Sequence, residues 1–339
     1  VTTLSNVAQR AGVTTATVSN VIRGKGSVGQ ATADRVRAVI TELGYRPNLT
    51  ARALAEGRSP TLALLVSSIA NPFYPEFARA AEQAARREGH FLLVCHTDTN
   101  PDIGLAYLDR VSSGLSEGVL AMAGNLRPHD LATVARRGVP VVLVMWEQTE
   151  ETIPLHAVLV DFLTAGRLAA EHLLALGHRD IGLVSGANPD GVMAHAQRHR
   201  GFEAALAKAG LDLPDDRVEF DSDTIEGGFR AATDLLLREP GITALFATND
   251  LLAIGAMQAA AALGREVPRT LSVIGVTDIH LASQMRPALT TVSIGTAAVA
   301  EAAICLLLDL IKHVPAAPQV RRTPPPTLIR RGSTAPPQH

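Results

Sequence analysis

Apolar positions near the start of the chain recur every three to four places. Leu4, Val7, Ala8 and Ala11 fall in one arc at about 100° per residue. That spacing predicts a helix of about two turns, with Thr3 capping its start and Gly12 ending it in a tight turn. A second helix, capped by Thr14, sets Val18, Val21 and Ile22 on one face and leaves Thr15, Ala16, Ser19 and Asn20 on the other. A third, from about Gln30 to Leu43, aligns Val36, Val39, Ile40 and Leu43 and closes a small core. Two short helices joined through a glycine turn, the second with a small polar outer face, are what a helix-turn-helix needs to lay side chains against base edges.

From Thr61 the pattern changes to short apolar runs alternating with helical segments. The predicted strands are Leu62–Ser67, Phe91–Cys95, Gly118–Met122, Val141–Met145, Ala157–Val160, Ile181–Ser185, Ala244–Ala247, Ser272–Val276 and Thr290–Ile294. Continuous apolar strands between helices imply parallel sheets covered on both faces. So much alternation exceeds one ordinary sheet, and two lobes are expected. In open α/β sheets ligands bind beyond the carboxyl ends of the strands, which makes the cleft between lobes the expected site.

Charge sharpens this division. Residues 1–60 carry a net +5 and the remainder −7, so the whole-chain value of −2 conceals a dipolar molecule. A basic head recruits phosphates, while an acidic body resists spreading along nucleic acid. With 339 residues, 47% of them hydrophobic, there is ample material for a large core beside a small head. Cys95 and Cys305 stand far apart in apolar contexts and read as buried, reduced thiols. No charged-then-apolar leader opens the chain and no apolar run reaches ~18 residues, so a cytoplasmic protein without a membrane partner is expected. The proline-rich end carries no heptad run, and residues 334–339 are expected to be a disordered tail. No phosphate loop, dinucleotide fingerprint or nucleophile elbow is present. Neither an enzyme nor a cofactor is expected. His195 and His199 have chelating i, i+4 spacing, but no supporting Cys or carboxylate accompanies them, and they read as surface histidines rather than metal ligands.

Beyond the head motif, six segments have a combined pattern. They are Glu42-Leu43-Gly44-Tyr45-Arg46-Pro47-Asn48, Asn71-Pro72-Phe73-Tyr74, Gly177-His178-Arg179, Arg198-His199-Arg200-Gly201-Phe202, Asn249-Asp250 and Arg286-Pro287-Ala288-Leu289-Thr290-Thr291. With these the chain, from Thr3 to about Ser333, resembles the LacI/GalR family of bacterial transcriptional regulators. The resemblance implies an all-α helix-turn-helix head and an α/β periplasmic-binding-protein-like body of two doubly wound parallel-sheet lobes. It also implies a homodimer on a pseudo-palindromic, double-stranded operator, most often as a repressor, under control of a small-molecule effector. The implied domains are a head at 1–48, a hinge at 49–59 and a body at 60–333. Lobe 1 takes about 60–161 and 292–322, and lobe 2 about 162–291 and 323–333.

Carried over by position, the resemblance places base reading at Thr15, Ala16 and Asn20. Ala16 suits a thymine methyl and Asn20 an adenine edge. The alternative for Thr15 and Asn20 is contact with phosphate alone. Thr3, Thr14, Thr17, Ser19, Arg23 and Asn48 are expected to position phosphates. About eight residues, Leu49–Gly57, cannot hold a helix alone in water. In the family this hinge folds on DNA and inserts a leucine into the minor groove, a role that falls to Leu54, with the basic Arg52 beside it and Ala51 and Ala53 small enough for close approach.

The implied effector residues are Phe73, Tyr74, Trp146, Asp161, Arg198, Asn249, Thr277 and Asp278. Capping is the alternative for Asn249 and Asp250, and core packing for Trp146. The chain departs from the family where Val276-Thr277-Asp278 replaces an aromatic followed by two acids or amides, where Phe162 follows Asp161, and where Ile294-Gly295 replaces Gln-Pro. Fewer anionic groups and a more apolar lining favour an acidic or aromatic metabolite, met by Arg198, over a plain sugar. A regulator controlled by a protein partner and a solute-binding module are the competing readings; the basic head counts against the second.

Overall fold

The computed structural model describes residues 2–24, 26–46, 60–122, 124, 126–145, 155–186, 193–313, 315 and 317–338. Asn48, Arg52, Leu54, the hinge at 49–59 and Trp146 lie outside the described residues. The chain divides into two units, Val1–Ser59 and Pro60–His339.

The head consists of α1 (Leu4–Ala11), α2 (Thr15–Arg23) and α3 (Gln30–Glu42). Thr3 and Asn6 cap α1 reciprocally, each side chain accepting from the other's backbone N–H, and Gly12 ends the helix at φ 65°. Thr14 caps α2 by accepting from the Thr17 N–H. These satisfy amides that a helix leaves unpaired at its start. Val7, Val18 and Val36 have no solvent exposure, and each contributes roughly 1.5–3 kcal/mol by burial. Arg10 of α1 and Glu42 at the end of α3 pair at 2.8 Å, a half-exposed contact that adds little.

The body holds two six-stranded sheets. The first, in order β11-β5-β4-β3-β1-β2, contains β1 (Thr61–Val66), β2 (Phe91–His96), β3 (Gly118–Met122), β4 (Val141–Val144), β5 (His156–Leu159) and β11 (Val320–Arg322). The second, in order β12-β10-β9-β8-β6-β7, contains β6 (Ile181–Ser185), β7 (Val218–Phe220), β8 (Ala244–Ala247), β9 (Ser272–Thr277), β10 (Thr290–Ser293) and β12 (Thr327–Ile329). All pairings are parallel except β10 with β12. The chain therefore passes between lobes after β5, after β10 and after β11. The nine predicted strands are present. Unpredicted are β7, β11 and β12, three-residue edge strands too short and too polar to give an apolar run.

Helices cover both sheets: α4 (Phe73–Arg87), α5 (Pro101–Arg110), α6 (Pro128–Arg136) and α12 (Thr296–Lys312) with the first, and α7 (Phe162–Ala175), α8 (Met193–Lys208), α9 (Ile225–Arg238), α10 (Asp250–Ala262) and the short α11 (His280–Gln284) with the second. Helices α7 and α8 cross in close contact. A Cβ built on Gly166 would lie 1.8 Å from the Arg198 carbonyl oxygen, and one on Gly201 would lie 2.0 Å from that of Leu163. Only glycine at both positions permits this crossing, which fixes where α8 presents its polar residues.

Two expectations change. Cys95 is buried, but Cys305 is exposed, because it shares the solvent stripe of α12 with Glu301 and Asp309 at i±4. The chain end is docked where it was expected to be disordered. The Ala335 N–H donates to Ser272 Oγ at 3.0 Å, its carbonyl lies 2.9 Å from His178 Nε2, and Thr334 Oγ1 lies 2.9 Å from His172 Nε2. Buried histidines that need partners hold it there. Among the described residues, no helix is long and apolar enough to cross a membrane.

Candidate functional site

On the head, α2 leaves Thr15 and Ala16 exposed to solvent and Thr17, Ser19 and Asn20 partly so. Its packing residues, Val18 and Val21, take the opposite face. Arg23 folds back to donate to the Ser19 carbonyl oxygen at 3.2 Å and to Asn20 Oδ1 at 3.4 Å, so Asn20 stands beside a cation at the end of that face. The exposed hydroxyls of Thr3 and Thr14 stand at helix N-termini, where backbone N–H groups and the helix dipole favour anions. The arrangement offers small, hydrogen-bonding side chains flanked by phosphate-binding positions.

In the body, the lobes meet where strands give way to helices. The N–H of His280, opening α11, donates to Glu76 Oε1 on α4 at 2.8 Å. Phe73 packs against both of the body's largest apolar clusters and edge-to-face on Tyr74, with ring centroids 5.4 Å apart. Facing them is a polar cluster from the second lobe. Arg198 on α8 is buried, donates to the Thr248 carbonyl oxygen at 2.7 Å, and lies 4.4 Å over the Phe162 ring. Phe162, the residue that departs from the family pattern after Asp161, thus serves as a platform for the cation; such a pair is worth about 2 kcal/mol when desolvated.

Asn249 does two things at once. Its side-chain oxygen caps α10 by accepting from the Leu252 N–H at 2.9 Å, and its amide donates to Asp223 Oδ1. Tyr74 stands close enough to sense this cluster. Burial pushes its phenol up, a hydrogen bond to Ser67 pulls it down, the Asp223 charge raises it and the Arg198 charge lowers it.

Other expected effector residues sit differently. Asp161 is exposed and caps α7, accepting from the Thr164 N–H at 2.8 Å. Thr277 is buried, and its hydroxyl donates to Asp250 at 3.3 Å. Asp278 pairs with Arg331 at 2.6 Å. Both have positive φ, 117° and 60°, and both are engaged inside the second lobe.

His195 overturns its reading as a surface histidine. It is buried, its Nδ1 lies 2.7 Å from Thr248 Oγ1, and its Nε2 lies 3.6 Å from Asp223 Oδ2. His199 is half-buried with its ring 6.3 Å from that of Phe220. The tight α7–α8 crossing encloses this part of α8, which a helical wheel of α8 alone does not register. Sequence reasoning missed His195, Asp223 and Ser67. The i, i+3 spacing of His195 and Arg198 was a usable signal, whereas Asp223 follows a strand too short to detect.

Residues 3–48 match the family model of bacterial regulatory proteins, lacI family, and residues 170–334 match the periplasmic binding protein-like domain. The HTH-type transcriptional regulator DegA of Bacillus subtilis (strain 168) is 35% identical over 297 residues, 86% of each chain. Among solved structures, the Lac repressor dimer bound to operator and the anti-inducer ONPF is similar with a TM-score of 0.85 and 25% identity, over 98% of this chain and 99% of that one. The transcriptional regulator CelR in complex with cellobiose is similar with a TM-score of 0.73 and 29% identity, over 98% of this chain and all of the other.

Proposed function

The chain belongs to the lacI family of bacterial regulatory proteins, and on that premise we propose that it acts as a homodimer on a two-fold symmetric operator, as a repressor whose grip is set by a small molecule between the lobes. It is a DNA-binding transcriptional regulator with an effector-binding body, and not an enzyme. The observation that carries the finer reading is the pairing of two features in one chain. An exposed, small-residue reading face on α2 accompanies a cleft in which buried Arg198, and Asp223 held by buried Asn249, act on Tyr74 from the other lobe. The related Lac repressor and CelR, one bound to operator as a dimer and the other to cellobiose, support both halves.

In this reading Thr15, Ala16 and Asn20 contact base edges, and Thr3, Thr14, Thr17, Ser19, Arg23, Asn48 and Arg52 position phosphates. Leu54 wedges into a minor-groove step. In the cleft, Arg198 and Asn249 bind the effector between Phe73, Tyr74 and Trp146, while Asp161, Thr277 and Asp278 hold the surrounding turns. Ligand biases the angle between lobes, and the Glu76 to His280 contact is a place where that angle is read. A useful switch requires discrimination of ~1–3 kcal/mol between the two states.

The test is operator binding by fluorescence anisotropy, with an operator obtained by selection from random duplexes. Leu54→Ala is expected to weaken binding about tenfold or more, because the unstacked, bent DNA loses its wedge. Equal affinity of the two proteins for the selected operator removes the wedge from the mechanism. Failure of selection to yield a two-fold symmetric sequence removes the dimer.

A further inference from the structure

We propose that Asp223 selects the ligand of this cleft, favouring uncharged, hydroxyl-rich molecules over carboxylates and phosphates, and that His195 is its positioning residue. The inference rests on the cleft being the effector site, as proposed above. Asp223 stands on the connection between β7 and α9, just before Thr224, which caps α9. Its two oxygens are held separately: Oδ1 accepts from the Asn249 amide, and Oδ2 faces His195 Nε2 at 3.6 Å. His195 is in turn fixed through Nδ1 at 2.7 Å from Thr248 Oγ1. The threonine hydroxyl gives its own proton to Ser185 Oγ at 3.4 Å, so Nδ1 donates to Thr248, and Nε2 turns to the carboxylate and donates to it when the ring is protonated.

Gly186 leaves the space this requires. A Cβ there would lie 2.9 Å from Asp223 Oδ1 and 3.1 Å from His195 Cε1. Burial works against the charge of Asp223, but the His195 hydrogen bond and the charges of His195 and Arg198 outweigh it and keep the carboxyl below its ordinary range. Asp223 is therefore an anion at neutral pH, with lone pairs left over after two partners.

Arg198 alone reads as a receptor for an acidic ligand. Beside it, Asp223 offsets that charge, and Asp278 is paired internally with Arg331 and adds no positive field. An anion entering here would meet a fixed carboxylate in a partly desolvated cleft. A molecule with adjacent hydroxyls instead donates to Asp223 and accepts from Arg198 and Tyr74, with Phe73 for its apolar face. This reverses the preference for an acidic metabolite drawn from the sequence.

The full chain is to be screened by thermal shift and calorimetry against a metabolite set that includes matched pairs: cellobiose and cellobionate, glucose and glucuronate, ribose and ribose 5-phosphate. The wild type is expected to bind an uncharged member and to reject its anionic partner. Asp223→Asn should shrink the ratio of neutral to anionic affinity by about tenfold or more, the loss of one charge-assisted hydrogen bond. His195→Ala should shrink the same ratio, and His195→Gln, which keeps a donor facing Asp223, should restore it. A merely structural histidine would lower the ligand-free melting midpoint and leave the ratio alone, which overturns its positioning role. A carboxylate or phosphate as the strongest ligand of the wild type overturns the inference while leaving the cleft as an effector site. So does a ratio unmoved in Asp223→Asn. Absence of any binding by a chain that still binds its operator overturns the small-molecule reading and this inference with it.

Discussion

Asp250 has no solvent exposure, and its carboxyl accepts from the Thr291 hydroxyl at 2.5 Å and the Ile279 N–H at 2.9 Å. Gly275 packs so closely that a Cβ there would lie 2.4 Å from Oδ1. Burial pushes this carboxyl up to about 6, the Asp278 charge adds to the rise, and the hydrogen bonds from Thr291, Ile279 and Thr277 oppose it. The folded state therefore holds this proton more tightly than the unfolded chain does. The contribution is fully present below the unfolded value near 4 and is lost as pH rises through about 6. Its size is on the order of 2–3 kcal/mol. Comparing wild type with Asp250→Asn in urea melts from pH 4 to 8, the stability difference should shift in favour of the variant as pH rises, and a constant difference refutes the assignment. In the sequence Asn249-Asp250 looked like a choice between capping and ligand binding. The structure gives Asn249 both a cap and a hold on Asp223, and gives Asp250 a buried network. A one-dimensional motif fixes where such residues stand, but not which neighbours arrive from β9 and β10.

At the scale of elements, the head was legible because its signals are local. Caps, glycine stops and a 3.6-residue period lie within the same few residues that they control. Thr14→Ala should cost about 1 kcal/mol of head stability, read as a lower midpoint in the melting of α2, with operator affinity falling as well. The central strands were legible for a similar reason, since burial on both faces makes each a continuous apolar run. Edge strands β7, β11 and β12 lack that requirement and left no trace. The α7–α8 crossing was also invisible, because Gly166 and Gly201 lie on separate helices with β6 between them and reveal their purpose only when juxtaposed. Gly201→Ala should destabilise the body by about 1–3 kcal/mol through overpacking against the Leu163 carbonyl, lowering its melting midpoint by several degrees. An unchanged midpoint shows that the crossing relaxes without cost.

Over the whole molecule, charge is divided between a basic first segment and an acidic remainder, +5 against −7. Operator affinity should therefore fall steeply as salt rises, with a log–log slope that becomes shallower by about one for each phosphate contact removed, as in Arg23→Ala. A slope unaltered in that variant takes Arg23 off the phosphate list. Effector and operator must also influence each other by the same factor, whichever is titrated first. By itself the sequence determined the modular plan, the capped helices of the head, nine of the twelve described strands of the body and the kinship of the chain, because each is written in local periodicity, composition or motif. Only the tertiary structure decided that the chain end docks on His172 and His178, that Cys305 faces solvent, and that His195 is buried beside Asp223. Those outcomes depend on which surfaces of distant segments meet. The balance of charge around Arg198 is of the same kind, since a carboxylate from another loop sets what that arginine can receive.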